Sequence, residues 1–273
     1  MKAQLWQDEA GRGSWNMALD WAMLRQASLE SEVILRIYEW SKPTISLGYF
    51  QSYQEFEADP RLRSLECVRR MTGGGAILHD REWTYSIAVP ESIPHKGHSE
   101  QLYRSVHGAV EKWLNKIGIP AQTWESTQKT IDDNEHSFMC FERRSPVDLI
   151  VGCEKILGSA QRRTEFGLLQ HGSLLLEPSN AYPTLTGLAQ NGESHERFQD
   201  PNRRIPQSPA IASTTNPSGV RREALVAALK SGLDQLFQLD WSLEKPSEAC
   251  CEESRQVEKA RFSNPEWTRF KCR

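Results

Sequence analysis

Cys140 and Lys155 are the two side chains whose types and spacing could do chemistry together. Cys140 stands in SFMCFERRSP, where Arg143 and Arg144 supply a positive field that favours a thiolate. Lys155 opens KILGSAQRR directly after the tight turn GCE, beside Gly158, Ser159 and Ala160, whose small size lets a ligand approach closely. Such a pair can act as a nucleophile and its helper. The ammonium stabilises the thiolate and holds a carbonyl oxygen as negative charge develops. Each residue also has a plainer reading: Cys140 as a half-buried small hydrophobe, Lys155 as a solvated strand end. Cys67 and Cys153 are weaker nucleophile candidates, in a strand-like run and at a turn tip. Cys250, Cys251 and Cys272 have no neighbouring histidine, so no metal site is expected. His95 and His98 read as part of a loop before a helix. His171, inside LLQHGSLLL, reads as a core histidine or a pocket wall, and no Ser-His-Asp grouping stands out.

A second stretch, RRMTGGGAILHD from Arg69 to Asp80, concentrates backbone freedom. Gly73, Gly74 and Gly75 remove every Cβ from a short loop, so its N–H groups can touch a ligand. With Arg69 and Arg70 before it and His79 and Asp80 after, it reads as an anion cradle or as a glycine-rich hairpin with a basic edge. Its spacing matches neither the Walker nor the dinucleotide motif, which weakens the nucleotide reading.

The elements that must position these groups follow from pattern. Ser14 is a candidate cap for a helix whose apolar face holds Trp15, Ala18, Leu19, Ala22 and Met23. VILRIY (33–38), TISLGYFQ (44–51) and WTYSIAV (83–89) read as strands, and 68–70 as a strand entering the glycine loop. Ser99 is the candidate cap of a helix with the stripe Leu102, Val106, Ala109, Val110, Trp113 and Ile117, ended by Gly118 and Pro120. Residues 125–137 are polar and loop-like. The runs VDLIV, KILGSAQ and LLQHGSLLL, with short glycine-containing breaks, predict an antiparallel meander. Residues 177–219 read as an extended surface segment, and 221–240 as a second amphipathic helix. The order predicts an α+β fold with a mixed, mainly antiparallel sheet and flanking helices. The expected organisation is one catalytic domain over residues 1–240, with 241–273 a polar tail of short helices packed on it.

Composition bounds the rest. The chain has 273 residues and a formal net charge of −3, so nothing global points to nucleic acid, and the pairs Arg69-Arg70, Arg143-Arg144, Arg162-Arg163 and Arg203-Arg204 read as solvated edges. No apolar run approaches a membrane span or a signal peptide. Six cysteines without a CxxC pair predict a reduced, cytoplasmic protein.

Four stretches in order, NMALD (16–20), the segment 35–51 with RIYEW and ISLGYFQ, RRMTGGGAILHD, and EKILGSAQRR followed by LLQHGSLLL, resemble the lipoate–protein ligase A and octanoyltransferase superfamily. The resemblance implies a core similar to that of biotin ligases and class II synthetases. It makes Lys155 the family's lysine and implies that Gly73, Gly74, Gly75 and His79 line an acyl pocket. Arg70, Gly158, Ser159, Ala160 and His171 are the further expected substrate-binding residues. ATP-dependent ligases usually carry an Arg-Asn-Asp-like stretch before the lysine strand. Here Pro146-Val147-Asp148 follows Cys140-Phe141, a pattern similar to the cysteine-dependent octanoyltransferases of Gram-positive bacteria. Trp21 and the run Glu142-Arg143-Arg144 depart from the family pattern.

The expected activity is octanoyl transfer from acyl carrier protein through a Cys140 thioester to a lysine of a lipoyl domain or of the glycine cleavage H protein, with no metal, ATP or other cofactor. Alternatives are amide-to-amide transfer from octanoylated H protein, ATP-dependent lipoate ligation using Lys155 without Cys140, and a non-catalytic binding protein.

Overall fold

The structure, a computed structural model, describes residues 1–93, 98–127, 137–182, 187–188 and 220–271. His95, Cys272, Arg203-Arg204 and most of the 125–137 and 177–219 segments lie outside the described residues.

Eight strands build the main sheet. Among the described residues they are β1 (Lys2–Gly11), β2 (Val33–Trp40), β6 (Glu82–Pro90), β7 (Ala121–Thr123), β8 (Leu149–Val151), β9 (Glu154–Thr164), β10 (Gly167–Leu175) and β11 (Asp240–Glu244). Their order is β11-β1-β2-β6-β10-β9-β8-β7. β1 pairs in parallel with β2 and β11; every other pairing in this sheet is antiparallel. A smaller sheet orders β4 (Glu66–Arg69), β3 (Thr44–Leu47) and β5 (Ile77–His79). The fold is therefore α+β with a mixed, mainly antiparallel sheet, as the pattern predicts.

The helices are α1 (Gly13–Glu30), α2 (Tyr53–Ala58), α3 (His98–Lys116), α4 (Arg222–Phe237), α5 (Glu248–Val257) and α6 (Pro265–Phe270). Two cores lie on opposite faces of the main sheet. On β2, Val33, Leu35 and Ile37 join the side chains of α3 and α4. The intervening Ile34 and Tyr38 join those of α1 and α5. The period-2 alternation of a strand thus feeds two cores at once, which is why VILRIY is apolar at every position but Arg36.

Some boundaries differ from the sequence reading. The N-cap of α1 is Arg12, and Ser14 lies inside the first turn, donating its hydroxyl to Glu258 Oε1 at 2.6 Å. Ser99 likewise lies inside α3. The strand starting at Thr44 stops at Leu47, because the chain turns at Gly48 beneath the glycine loop. Segment 241–271 contributes β11 to the main sheet, α5 against α1, and the buried Cys250, Phe262 and Trp267.

Candidate active site

The antiparallel β8–β9 hairpin presents Lys155 at the start of β9, opposite Ile150. Its side chain is buried and turns back along its own strand. A Cβ at Gly158 would lie 2.4 Å from Lys155 Cε, so only glycine leaves the channel the lysine occupies. There Lys155 Nζ lies 2.7 Å from Asp148 Oδ2, 3.4 Å from the Cys140 carbonyl oxygen and 3.8 Å from Cys140 Sγ. Burial alone lowers the basicity of Lys155, but the facing Cys140 and Asp148 outweigh it and raise the lysine above its ordinary range. Asp148 is itself fixed by the Ser145 N–H, which donates to its Oδ2 at 2.7 Å.

Cys140 opens a single 3-10 turn, Cys140–Glu142, and is half-buried. Its position is set by the glycine loop. Cys140 N donates to Ala76 O at 2.7 Å, and Ala76 N donates to Phe138 O at 2.8 Å. A Cβ at Gly75 would stand 2.8 Å from Cys140 N, so this glycine is required for the two backbones to pair. Arg143 and Arg144 stand near the site without donating to Cys140 Sγ, and the field of Arg144 reaches Lys155. Arg143 Nε donates to Ser137 O, and Arg144 donates to the carbonyls of Phe141 and Cys153. Among the described contacts of Cys140 Sγ, the cation is Lys155.

Arg70 stands behind the glycine loop. It is fully buried and donates to the carbonyl oxygens of Ser46, Gly73 and Gly75 at 2.6–2.7 Å, so the loop's carbonyls are gathered onto a guanidinium. Burial pulls Arg70 down to about 10. Gly74 has φ of 88°, and Gly73 lies beside exposed Phe50. His79 is buried, stacked on Trp40 with centroids 3.7 Å apart. Its Nδ1 bonds Glu82 Oε1 at 2.6 Å and its Nε2 bonds Ser46 Oγ at 2.7 Å. His79, Ser46, Arg70 and His171 border a small cavity of about 10 Å3.

His171 completes a linkage that sequence reading missed. Its Nε2 accepts from Thr72 Oγ1 at 2.5 Å, and its Nδ1 donates to Asp20 Oδ2 at 3.4 Å. Burial keeps His171 below the ordinary histidine range despite Asp20. An Asp–His–hydroxyl row therefore exists, but Thr72 is fully buried and also accepts from Arg70 Nε, so it braces the loop and is no exposed nucleophile. Asp20 also accepts from buried Arg36 at 2.7 Å, and Arg36 Nη2 donates to Asn16 Oδ1 at 3.0 Å. NMALD, RIYEW, the glycine loop and LLQHGS thus meet in one buried polar network.

Two further residues were missed. Asp148 had a place in a motif but no role. His107 lies on α3, beside the apolar stripe and four residues after Tyr103; a polar residue at that helical spacing was the available signal. Its Nδ1 donates to Val147 O at 2.6 Å and its Nε2 accepts from Ser159 Oγ at 2.6 Å. Ser159 and Ala160 are half-buried on β9, beyond Leu157, where β8 ceases to pair. Cys67 is half-buried on β4, its thiol pushed up to about 12 by burial, and Cys153 is exposed. No helix among the described residues is long and apolar enough to cross a membrane.

Comparison with known proteins agrees with this geometry. The family described as lipoyl protein ligase A/B catalytic domain matches residues 12–225. Octanoyltransferase LipM of Lysinibacillus sphaericus is 32% identical over 262 residues, covering 93% of this chain and 94% of the relative. Octanoyltransferase LipM of Geobacillus kaustophilus is 32% identical over 266 residues, covering 93% of each chain. Among solved structures, lipoate-protein ligase A bound with ATP superposes with a TM-score of 0.68 at 19% identity, over 98% of both chains. A bi-partite lipoate protein ligase from Thermoplasma acidophilum gives 0.68 at 18% identity, over 100% of this chain and 98% of that one. At such identities these two show the fold. Motifs, fold and near-full-length relatives agree, and the chain belongs to the lipoyl protein ligase A/B catalytic domain family, in its octanoyltransferase branch.

Proposed function

We propose that this acyltransferase moves an octanoyl group from acyl carrier protein through Cys140 to a lysine amine of a lipoyl domain or of the glycine cleavage H protein. The observation that carries the reading is the placement of the Lys155 ammonium 3.8 Å from Cys140 Sγ. The Cys140 thiolate attacks the donor carbonyl, the C–S bond to the pantetheine sulfur breaks, and the octanoyl group remains on Sγ. Lys155 stabilises the negative charge that develops on the carbonyl oxygen, and Asp148 holds it in place. The stretch of β9 beyond its pairing with β8, from Gly158 to Ala160, borders the same space.

The acyl chain runs past Gly73, Gly74, Gly75 and His79, with Arg70 fixing the loop and His171 bracing it through Thr72. The cavity of about 10 Å3 beside His79, Arg70 and His171 is smaller than an eight-carbon chain, so binding widens it. Because the donor is already a thioester, this route consumes no ATP and needs no metal. A reduced thiol fits a cytoplasmic setting. The catalytic domain in this reading spans residues 1–240, with 241–273 packed on it.

The test is intact mass after incubation with octanoyl-acyl carrier protein. A hydroxylamine-sensitive octanoyl adduct, absent in Cys140→Ala, is the expected result. The same incubation with octanoylated H protein distinguishes an amide donor. No adduct from either donor, together with lipoate-dependent ATP–pyrophosphate exchange, overturns the reading in favour of a ligase.

A further inference from the structure

The face of β9 that looks onto the glycine loop ends in a charge that the chemistry at Cys140 does not use. Residues opposite one another in an antiparallel pair share a face, so the partners on β10 sort the strand. Gly158 is opposite Ser173, Ala160 opposite His171 and Arg162 opposite Leu169. His171 is bonded to Thr72 of the glycine loop, and Leu169 joins the core under α1. Gly158, where a Cβ would lie 2.8 Å from Lys155 Nζ, therefore shares its face with Ala160 and Arg162. The intervening Ser159 turns to the other side, toward Tyr85 and His107. A lane thus runs along β9 from Lys155, beside the glycine loop, to Arg162.

Two cations meet at the end of that lane. Arg162 Cζ lies 5.2 Å and Lys271 Nζ 5.8 Å from the centre of the Tyr49 ring, and both residues are half-buried. Neither pairs with a carboxylate among the described residues. Like charges gathered on one ring repel, and an anion seated with them relieves that cost. The ring itself is tied to the site. Tyr49 N donates to Thr72 O at 2.8 Å, and Gln51 Nε2 donates to Phe138 O at 2.9 Å, two residues before Cys140. Between them Phe50 is 74% exposed beside Gly73. Lys271 is fixed at the end of α6, where its N–H donates to Trp267 O at 3.0 Å.

We propose that Arg162 and Lys271 bind the phosphodiester of the donor's pantetheine arm while its thioester lies at Cys140. The inference rests on the cysteine route above and gives the donor its polar anchor. Between sulfur and phosphorus the arm holds about as many chain bonds as four residues of backbone, so it spans ~14 Å when extended. Gly158 and Arg162 are four residues apart, about 13 Å along a strand. The lengths agree: with the donor sulfur beside Lys155, the phosphate reaches the two cations. Arg162 offers a planar fork that matches phosphate oxygens, and Lys271 adds a point charge. The exposed ring of Phe50 gives the arm's dimethyl carbon an apolar contact. The acceptor lysine brings no phosphate, so the site serves the donor alone.

The experiment compares two small donors that differ only in the phosphate. Full-length wild type, Arg162→Gln and Lys271→Gln are loaded at subsaturating octanoyl-pantetheine or octanoyl-phosphopantetheine, and the octanoyl adduct is followed by intact mass. Wild type should load on the order of 10–100-fold faster from the phosphorylated donor, with the ratio shrinking as salt rises. In each variant the ratio should fall towards one, and the charge reversal Arg162→Glu should take it below one. Octanoyl-acyl carrier protein should follow the phosphorylated donor across the series. The ratio is taken within one preparation, so any loss of folded protein cancels. A wild-type ratio near one, or a ratio that the variants leave unchanged, overturns the inference. So does a slower chase of preloaded acyl-enzyme by a lipoyl domain with the donor ratio intact, which assigns the cations to the acceptor protein. Absence of any adduct in wild type from every donor is a different outcome, and sinks the cysteine route along with the inference.

Discussion

Asp148 and Lys155 form a buried ion pair at 2.7 Å, both side chains less than 5% exposed, across the β8–β9 hairpin. Removing the carboxylate leaves a buried ammonium without its partner. Asp148→Ala is expected to lose ~3–5 kcal/mol in urea unfolding, and octanoyl transfer with it. The double variant Asp148→Ala/Lys155→Met should recover most of that stability and none of the activity. A single variant as stable as wild type refutes the pairing.

Gly75→Ala places a methyl 2.8 Å from Cys140 N and 3.0 Å from Phe138 O, both main-chain atoms that cannot swing away. Cys140 must shift, and in the proposed mechanism misplacement of the nucleophile by about 1 Å costs on the order of 10²-fold in rate. Gly108→Ala, where nothing lies within 4 Å, is the control. It should leave acyl loading unchanged and stabilise α3 by about 0.5–1 kcal/mol. Steady-state rates and unfolding midpoints of the two variants check the contrast.

Burial places His107 and His171 below the ordinary histidine value of 6.5. The unfolded chain therefore takes up these protons at a higher pH than the folded one. The stability they contribute is present above pH 6.5 and is lost as pH falls through the lower folded values, at up to ~1.4 kcal/mol per pH unit for each histidine. Denaturant midpoints should fall from pH 7 to pH 5, and His107→Gln should fall less over the same interval. A midpoint that rises on acidification contradicts the assignment.

Trp267 on α6 is buried and donates its indole N–H to Arg69 O at 3.0 Å, while Arg69 Nε donates to Thr268 O at 2.8 Å. Trp267→Ala removes core volume and half of this clasp on the strand that enters the glycine loop. Calorimetry should show a loss of about 3–5 kcal/mol. A melting temperature unchanged within error would mean that α6 is only laid on the surface.

Local pattern made much of the fold legible. β2, β6 and the β8–β9–β10 meander announce themselves as short apolar runs between turn residues, because a strand's side-chain period is written in adjacent positions. Cys140 and Lys155 were legible as a chemical pair from their neighbours: Cys140 lies close to Arg143 and Arg144, and Lys155 follows a tight turn beside small residues. Their partners were not. Asp148 meets Lys155 only once the hairpin closes, and Asp20 meets His171 across 151 positions of sequence. The N-cap at Arg12 was missed because Ser14 has the preferred capping chemistry but is claimed by Glu258 from the far end of the chain. β11 is short and mostly exposed, and its register beside β1 depends on a neighbour more than 200 residues away.

Lys155 is borne by a strand of the main sheet, whereas Cys140 is borne by a one-turn segment clipped to the glycine loop through Ala76. In the proposed mechanism the electrostatic half of the site is thus architecture and the nucleophilic half is an attachment. Grafting a cysteine-free segment between Ser137 and Pro146 would leave the ammonium and the proposed acyl groove standing, ready for a substrate that arrives already activated by other means. One scaffold could then change its reaction through the exchange of a few residues, without refolding.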